Sequence, residues 1–321
     1  MIGLATAFVA QVLRISVPYA LAATGGAFSE RGGVINIGLE GIILAGAFGT
    51  AAGTLATGSP WLGVLFGVGA GILIAALHAA ITVGAKADQI LSGLALNLLV
   101  LGGTRGLLRL LYDSSSNSPR FEGFAPLAYV ARFTGDAAVP GGAAATGPGA
   151  PFEGLLLLVG HPLFLLGAGG IILAQVLLFG TGFGLSLRAA GDGPRALDGA
   201  GISVSRVRAA GVLLSGVFGG AAGAWLALEQ HMFTDGMSGG RGYIALAAMI
   251  VGKWRPLAGA TACLLFGAAE ALQMRVPSGV IPTQFLQMLP YVVTILALAG
   301  WIGRSTAPAR LGEPYDREEG R

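Results

Sequence analysis

Residues 41–85 read GIILAGAFGTAAGTLATGSPWLGVLFGVGAGILIAALHAAITVGA and carry no formally charged side chain. A spanning helix needs about 20 mostly apolar residues, and each charge at its centre costs about 2.5–3.5 kcal/mol to insert. A charge-free run of this length holds two crossings. Gly58-Ser59-Pro60 divides it, since glycine marks turns and proline suits the first turn of a helix. Two helices are predicted, over 36–57 and 61–83.

Working outward, the same rule predicts a helix over 89–111 and another within 2–24. In the latter, Arg14 is awkward and Pro18 follows it. The span is placed from near Ile15, with a short interfacial segment before it. Further helices are predicted over 162–182, 207–228, 256–275 and 284–303. Residues 242–252 are apolar but too short for an ordinary span, and read as a short or re-entrant element. The fold class is all-α: a polytopic membrane bundle of about eight to ten transmembrane helices, forming one domain over 1–303. The connection 112–160 is rich in Gly, Ala, Pro and Ser and reads as a loop with limited structure. Residues 304–321 read as a polar, mobile tail.

Composition agrees. The chain has 321 residues, 54% hydrophobic and 11% charged, with mean hydropathy +0.75; soluble domains carry about 25% charged residues. Its 55 glycines suit helices that pack closely in lipid, and Gly63, Gly67 and Gly71, with the pairs Gly216/Gly220 and Gly219/Gly223, are read as contact stripes. The net charge of +3 does not indicate nucleic acid, because the basic residues lie between apolar runs. The single Cys263 has no disulfide partner. His78, His161 and His231 are scattered and form no metal motif, and no catalytic constellation is visible. The N-terminus lacks a basic leader, so no cleavable signal peptide is expected.

Basic residues set the orientation. With 183–206 and the C-terminus in the cytoplasm, Arg31, Lys86, Arg188, Arg195, Arg206, Arg208, Lys253, Arg255, Arg304, Arg310, Arg317 and Arg321 lie inside. Arg14, Arg105, Arg109, Arg120, Arg132, Arg241 and Arg275 lie outside or within spans. The bias fits the positive-inside rule. The long loop is then external, and so is the N-terminus if 242–252 counts as a full pass.

The loop after the 162–182 helix reads LRAAGDGPRALDGAGISVSRVR over 187–208. Asp192 could cap a short helix and Pro194 lies near its first turn; such a helix would lie on the cytoplasmic surface. On composition alone it is an amphipathic connector. The pattern resembles the cytoplasmic coupling segment of ABC-importer permeases of the branched-chain amino acid, simple sugar and nucleoside group. FSERGGVINIGLEGIILAGAF at 28–48, ADQILSGLALNLLVLGGTRGLL at 87–108 and GMSGGRGYIALAAMIVGKWRPLAGA at 236–260 are similar to the same group. The first most resembles permeases of nucleoside-type systems, those with a BmpA-like binding protein.

That resemblance implies an inner-membrane permease subunit, not an enzyme. It implies an ABC ATPase on a separate chain, a second permease, identical or paralogous, and an extracellular solute-binding lipoprotein. No G-x-x-x-x-G-K-[ST] occurs in the sequence, so no ATP site is expected here, and no cofactor. Gly191, Asp192, Pro194, Arg195, Ala196 and Asp198 are expected at the ATPase. The solute is expected to be a nucleoside or related small polar molecule, with simple sugars and branched-chain amino acids as alternatives. An ion-coupled secondary transporter is the competing class; it would need a central, partnered carboxylate pair.

Polar residues inside spans are costly and often functional. Asn36, Glu40 and Asn97 are the candidates for the solute path, since amides and a carboxylate can meet hydroxyls and ring nitrogens. Each also has a structural reading: an interhelical hydrogen bond for Asn97, and for Glu40 a pair with Arg31 or stabilisation of a positive helix end. His78 reads as a satisfied packing residue. Glu229 and Glu270, near outer helix ends, read as reaching water. Finally, Gly33-Val-Ile-Asn-Ile faintly echoes Gly242-Tyr-Ile-Ala-Leu. Interrupted helices in related positions mark the binding site of many transporters, so the two elements are expected to face each other across the path.

Overall fold

The computed structural model describes residues 2–124, 152–275 and 306–316, together with 285, 288, 292, 293, 295 and 296. The described residues form helices and connections, with one isolated bridge between Asn117 and Thr234. In chain order the helices are α1 (Ile2–Arg31), α2 (Leu39–Thr57), α3 (Pro60–Ala79), which runs into a π turn over Ala80–Gly84, and α4 (Gln89–Tyr112). Then come α5 (Glu153–Val159), α6 (Pro162–Gly180), α7 (Gly182–Asp192), α8 (Pro194–Gly199), α9 (Val204–Gln230), α10 (Arg241–Val251) and α11 (Pro256–Gln273). Six of them, α1, α2, α3, α4, α6 and α9, are long and apolar enough to cross a membrane. Their outward surfaces carry Leu65, Leu73, Leu98 and Leu110, which in water would be an untenable apolar area and in lipid is the favoured one. The chain is a multi-pass membrane protein.

α9 is the axis. It packs on α1, α2 and α3, and with α2 it is the most buried span. Glycine permits this closeness. A Cβ on Gly71 would stand 2.5 Å from the Gly216 carbonyl oxygen, and one on Gly67 2.6 Å from that of Gly46. The stripes read from the sequence are therefore backbone contacts among α2, α3 and α9.

Several boundaries differ from expectation. α1 does not break at Pro18 or stop near 24; it is one helix to Arg31. A proline in a membrane helix is tolerated where neighbours cover the freed carbonyl. The awkward Arg14 pairs with Glu229 at the far end of α9, at 3.1 Å. The 112–160 connection contains α5 at its end; residues 125–151 lie outside the described part. The 183–206 loop is mostly helical. Thr181 ends α6 and caps α7 through its hydroxyl, which accepts from Gly184 N–H. The expected span over 284–303 lies almost wholly outside the described residues.

Charges separate to two ends. At one, Arg31 donates to the carbonyls of Lys253 and Trp254, Lys86 pairs with Asp316 at 2.6 Å, and Arg188 and Arg255 flank Phe179. We call this the basic end; the positive-inside rule places it in the cytoplasm. At the opposite end, Arg105 pairs with Asp235 at 2.7 Å, and the 231–235 strand of chain bonds to 116–121. The segment 231–254 joins the two ends, because Asp235 N–H bonds the Ser116 carbonyl while Lys253 bonds Arg31. The short 242–252 element is thus the helical half of a broken crossing.

The tail is not free where it is described. Residues 306–316 fold back onto the basic end: Arg310 N–H bonds the Gly191 carbonyl, Gly312 N–H bonds that of Gly33, and Ala309 N–H bonds Asp192 Oδ1. Gly312 has φ +84, a conformation that suits glycine.

Candidate functional site

Two half-crossings meet inside the bundle. After α1, residues 32–38 turn back at Gly33, with φ +89, and enter as irregular chain before α2 starts. From the opposite end, residues 231–240 enter as irregular chain before α10 starts. Backbone of this kind survives at membrane depth only if every polar group finds a protein partner. Side chains from the surrounding helices supply them. Ile35 N–H donates to Gln89 Oε1 at 2.7 Å, and the Ile35 carbonyl lies 3.0 Å from His78 Nε2. The other ring nitrogen of His78 lies 3.0 Å from Ser92 Oγ, so His78 is the satisfied packing residue expected. Asn97 Nδ2 donates to the Ile37 carbonyl, and its Oδ1 accepts from Gly41 N–H at 2.8 Å.

Glu40 closes the junction. Its two carboxylate oxygens accept from Gly240 N–H and Gly242 N–H, each at 2.7 Å. The carboxylate lies on the positive end of α10 and in the first turn of α2, so it meets two helix dipoles. It does not pair with Arg31; the positive helix ends that it stabilises are that of its own helix and that of α10. The contact is tight: a Cβ on Gly242 would lie 2.5 Å from Glu40 N and 2.6 Å from Glu40 Cα. Asn97 is nine positions along α4 and α10 is 11 residues long. At 1.5 Å per residue the junction lies about 12–16 Å from the basic end, near the middle of a hydrocarbon layer about 30 Å thick.

The structure therefore brings Glu40 and Asn97 together and adds Tyr243, whose hydroxyl accepts from Asn97 Nδ2 at 3.1 Å. Tyr243 is 45% exposed, and its hydroxyl, accepting from Asn97, keeps a hydrogen to donate. Neither polarity nor spacing singled it out; only its place one turn into a half-helix does. Asn36 lies apart, fully buried, donating to Ser215 Oγ at 2.7 Å. Its Oδ1 has no partner among the described residues. Glu270 does not simply reach water either. It accepts from Tyr19 hydroxyl at 2.5 Å and pairs with Arg241 at 3.3 Å, fixing the start of α10 to α1 and α11.

The second cluster is at the basic end. α8 begins with Pro194 and exposes Arg195 and Ala196, while Leu197 is buried against Ala190 and Val204. Asp198 is half-buried and Gly191 buried. Asp192 is not the cap of α8; Gly193 holds that position, and Asp192 instead bonds the tail. A Cβ on Gly191 would collide with the Arg31 carbonyl oxygen, so α7 ends directly on the start of the 32–38 segment. Arg208, only 3% exposed, ties the layers together: it donates to the carbonyls of Ala190 and Glu313. A cleft of about 210 Å³ runs between Asp192–Arg195 and the tail residues Arg310–Asp316. Among the described residues no group of His, Cys, Asp and Glu is arranged to hold a metal.

Comparison with known proteins matches both clusters together, since the similarity runs the length of the chain. The guanosine ABC transporter permease protein NupQ of Bacillus subtilis is 36% identical, covering 96% of this chain and 98% of its own. The nucleoside ABC transporter permease protein NupC of Lactococcus lactis is 40% identical, covering 96% of each. A putative glucose ABC transporter permease protein, TsgC13 of Haloferax volcanii, is 30% identical over 93% of this chain. Residues 8–298 match the family described as branched-chain amino acid transport system / permease component, and the chain belongs to that family.

Proposed function

We propose that this chain is the membrane-spanning subunit of an ATP-driven importer for nucleosides, working with an ATPase on another chain, a second permease and an external binding lipoprotein. The observation that carries the reading is the near-complete overlap, at 36–40% identity, with two permeases named for guanosine and nucleoside transport. The geometry supports it. α8 offers the exposed Arg195 and Ala196 at the basic end, where an ATPase would dock. The end of α7 touches the 32–38 segment, whose other end carries Glu40. A push on α8 thus has a short path to mid-membrane: Gly191, Gly33, then Asn36 to Glu40.

In this reading Glu40 and Asn97 hold the junction, and Tyr243 presents the hydroxyl that meets the solute. Asn36 carries a buried acceptor that a passing hydroxyl or ring N–H could use if α2 and α9 part. An ion-coupled mechanism is less well supported, because both oxygens of Glu40 are already bound to backbone N–H groups.

The test is uptake into vesicles holding the whole assembly. Labelled guanosine, cytidine and glucose are offered with and without ATP. Nucleoside uptake that requires ATP, and that Arg195→Glu abolishes in protein still folded in the membrane, is expected. Uptake unchanged after ATP depletion contradicts the importer reading; ATP-driven uptake of glucose alone contradicts the solute.

A further inference from the structure

Phe179, in the last turn of α6, is surrounded by arginines from three other places in the chain. The guanidinium carbons of Arg31, Arg188 and Arg255 lie 5.7, 5.1 and 5.3 Å from the centre of its ring. Arg31 is the last residue of α1, Arg188 belongs to α7, and Arg255 immediately precedes α11. One ring attracts cations through its faces, but three guanidiniums held this close also repel one another. No carboxylate of the described residues lies within ion-pair distance of any of the three; the pairs that do form involve other residues. Arg31 donates to the Lys253 and Trp254 carbonyls and Arg188 to that of Gly184. These acceptors are neutral, and Asp192, beyond ion-pair distance, is the one opposite charge felt by Arg31; three positive charges against one leave a net positive charge.

The surroundings say what kind of anion fits. Beside the cluster, α6, α7 and α11 expose Leu173, Val176, Leu185 and Leu257, at 57%, 55%, 62% and 44%. The charge therefore sits where the lipid-facing apolar belt meets the basic end. A molecule with a phosphate on top of acyl chains matches both halves, and basic pockets between helix ends at the cytoplasmic side suit anionic headgroups. Guanidinium forks suit phosphate oxygens in particular. The residues exposed toward a docked ATPase, Arg195 and Ala196, are on α8 instead. We propose that Arg31, Arg188 and Arg255, arranged round Phe179, bind the phosphate of an anionic phospholipid in the cytoplasmic leaflet. Such a lipid braces α7 one turn before Asp192, and so steadies the coupling segment. The site does not depend on which solute is carried.

The experiment counts lipids retained by the purified chain in mild detergent by native mass spectrometry, after adding phosphatidylglycerol, phosphatidylcholine or inorganic phosphate. The wild type is expected to retain phosphatidylglycerol and not phosphatidylcholine. The Arg188→Gln/Arg255→Gln double variant is expected to bind phosphatidylglycerol at least about tenfold more weakly, a loss of about 1.4 kcal/mol. The Arg188→Lys/Arg255→Lys variant, which keeps the charge, should fall between them. Should the glutamine variant not stay folded, the wild type alone decides. Its phosphatidylglycerol binding should drop severalfold from about 0.05 to about 0.5 M NaCl, as screening shortens the reach of the charges. Equal retention of both lipids, retention unaffected by the glutamines, or binding indifferent to salt overturns the proposal. So does arginine-dependent binding of inorganic phosphate with no binding of phosphatidylglycerol.

Discussion

Glu40 and Arg208 do the same job with opposite charge at two depths. Glu40 gathers backbone N–H groups at the start of α10; Arg208 gathers backbone carbonyls at the end of α7 and in the tail. Each charge lies on the helix end whose dipole it complements. They differ in completeness. Both oxygens of Glu40 are used at 2.7 Å, whereas Arg208 leaves Nε buried with no partner among the described residues. The membrane junction joins two half-crossings at the depth of the hydrocarbon layer, where an unpaired backbone group is costly. The junction at the basic end joins α7, the 32–38 segment and the tail, beside the exposed Asp192 and Arg195. The first is built to hold, and the second can rearrange at lower cost.

The largest expected effect is at the membrane junction. Glu40→Ala removes two charge-assisted hydrogen bonds and leaves two N–H groups unpaired, a cost of about 3 kcal/mol or more. ATP-driven uptake should fall more than about tenfold, and thermal unfolding in detergent should shift down. Glu40→Gln, with one acceptor oxygen left, should be intermediate. If it behaves as wild type, the charge is irrelevant and the contrast with Arg208 is broken. Gly242→Ala should approach Glu40→Ala, since its methyl would push on the Glu40 backbone and overpacking costs about 1–3 kcal/mol.

Next comes Arg208→Met. It removes the ties to Ala190 and Glu313, about 2 kcal/mol, and should loosen the tail more than the bundle. Trypsin cleavage after Arg310, slow in the wild type, should become fast while the unfolding temperature moves little. Unchanged cleavage would mean that the backbone bonds to Gly191 and Gly33 hold the tail unaided. Tyr243→Phe should cost about 1 kcal/mol in stability, yet change the relative uptake of nucleosides, because it removes the hydroxyl hydrogen left to donate. Arg14→Gln should cost less than about 1 kcal/mol, since its pair with Glu229 is half-exposed.

Much of this was legible before the structure. The charge-free run at 41–85 delivers α2 and α3, and Arg31, Lys86, Arg188, Lys253 and Arg255, all read as lying on one side, do gather at one end. The polar residues Glu40, Asn97 and His78 were visible as exceptions within apolar spans. What could not be read was their purpose. They satisfy irregular backbone at 32–41 and 240–242, and hydropathy does not show where a helix has not yet begun: α2 starts at Leu39, not at 36. The echo between 33–37 and 242–246 pointed to two elements facing each other across a path; the contact seen is a step further along, from Glu40 at the start of α2 to Gly240 and Gly242. The tail was missed for a similar reason. Its anchors at Gly191 and Gly33 are backbone-to-backbone bonds, and a polar composition looks the same docked or loose.

The central claim is that the two half-crossings touch at mid-membrane and must do so for transport. Paired cysteines, one within 33–40 and one within 242–249, test it directly when oxidised in the assembled transporter with and without ATP. The single native Cys263 is fully buried and should not compete. The account predicts a cross-link for at least one pair in at least one state, with uptake blocked until the bond is reduced. Absence of a cross-link at every pair in both states, or a cross-linked protein that still transports, would contradict it.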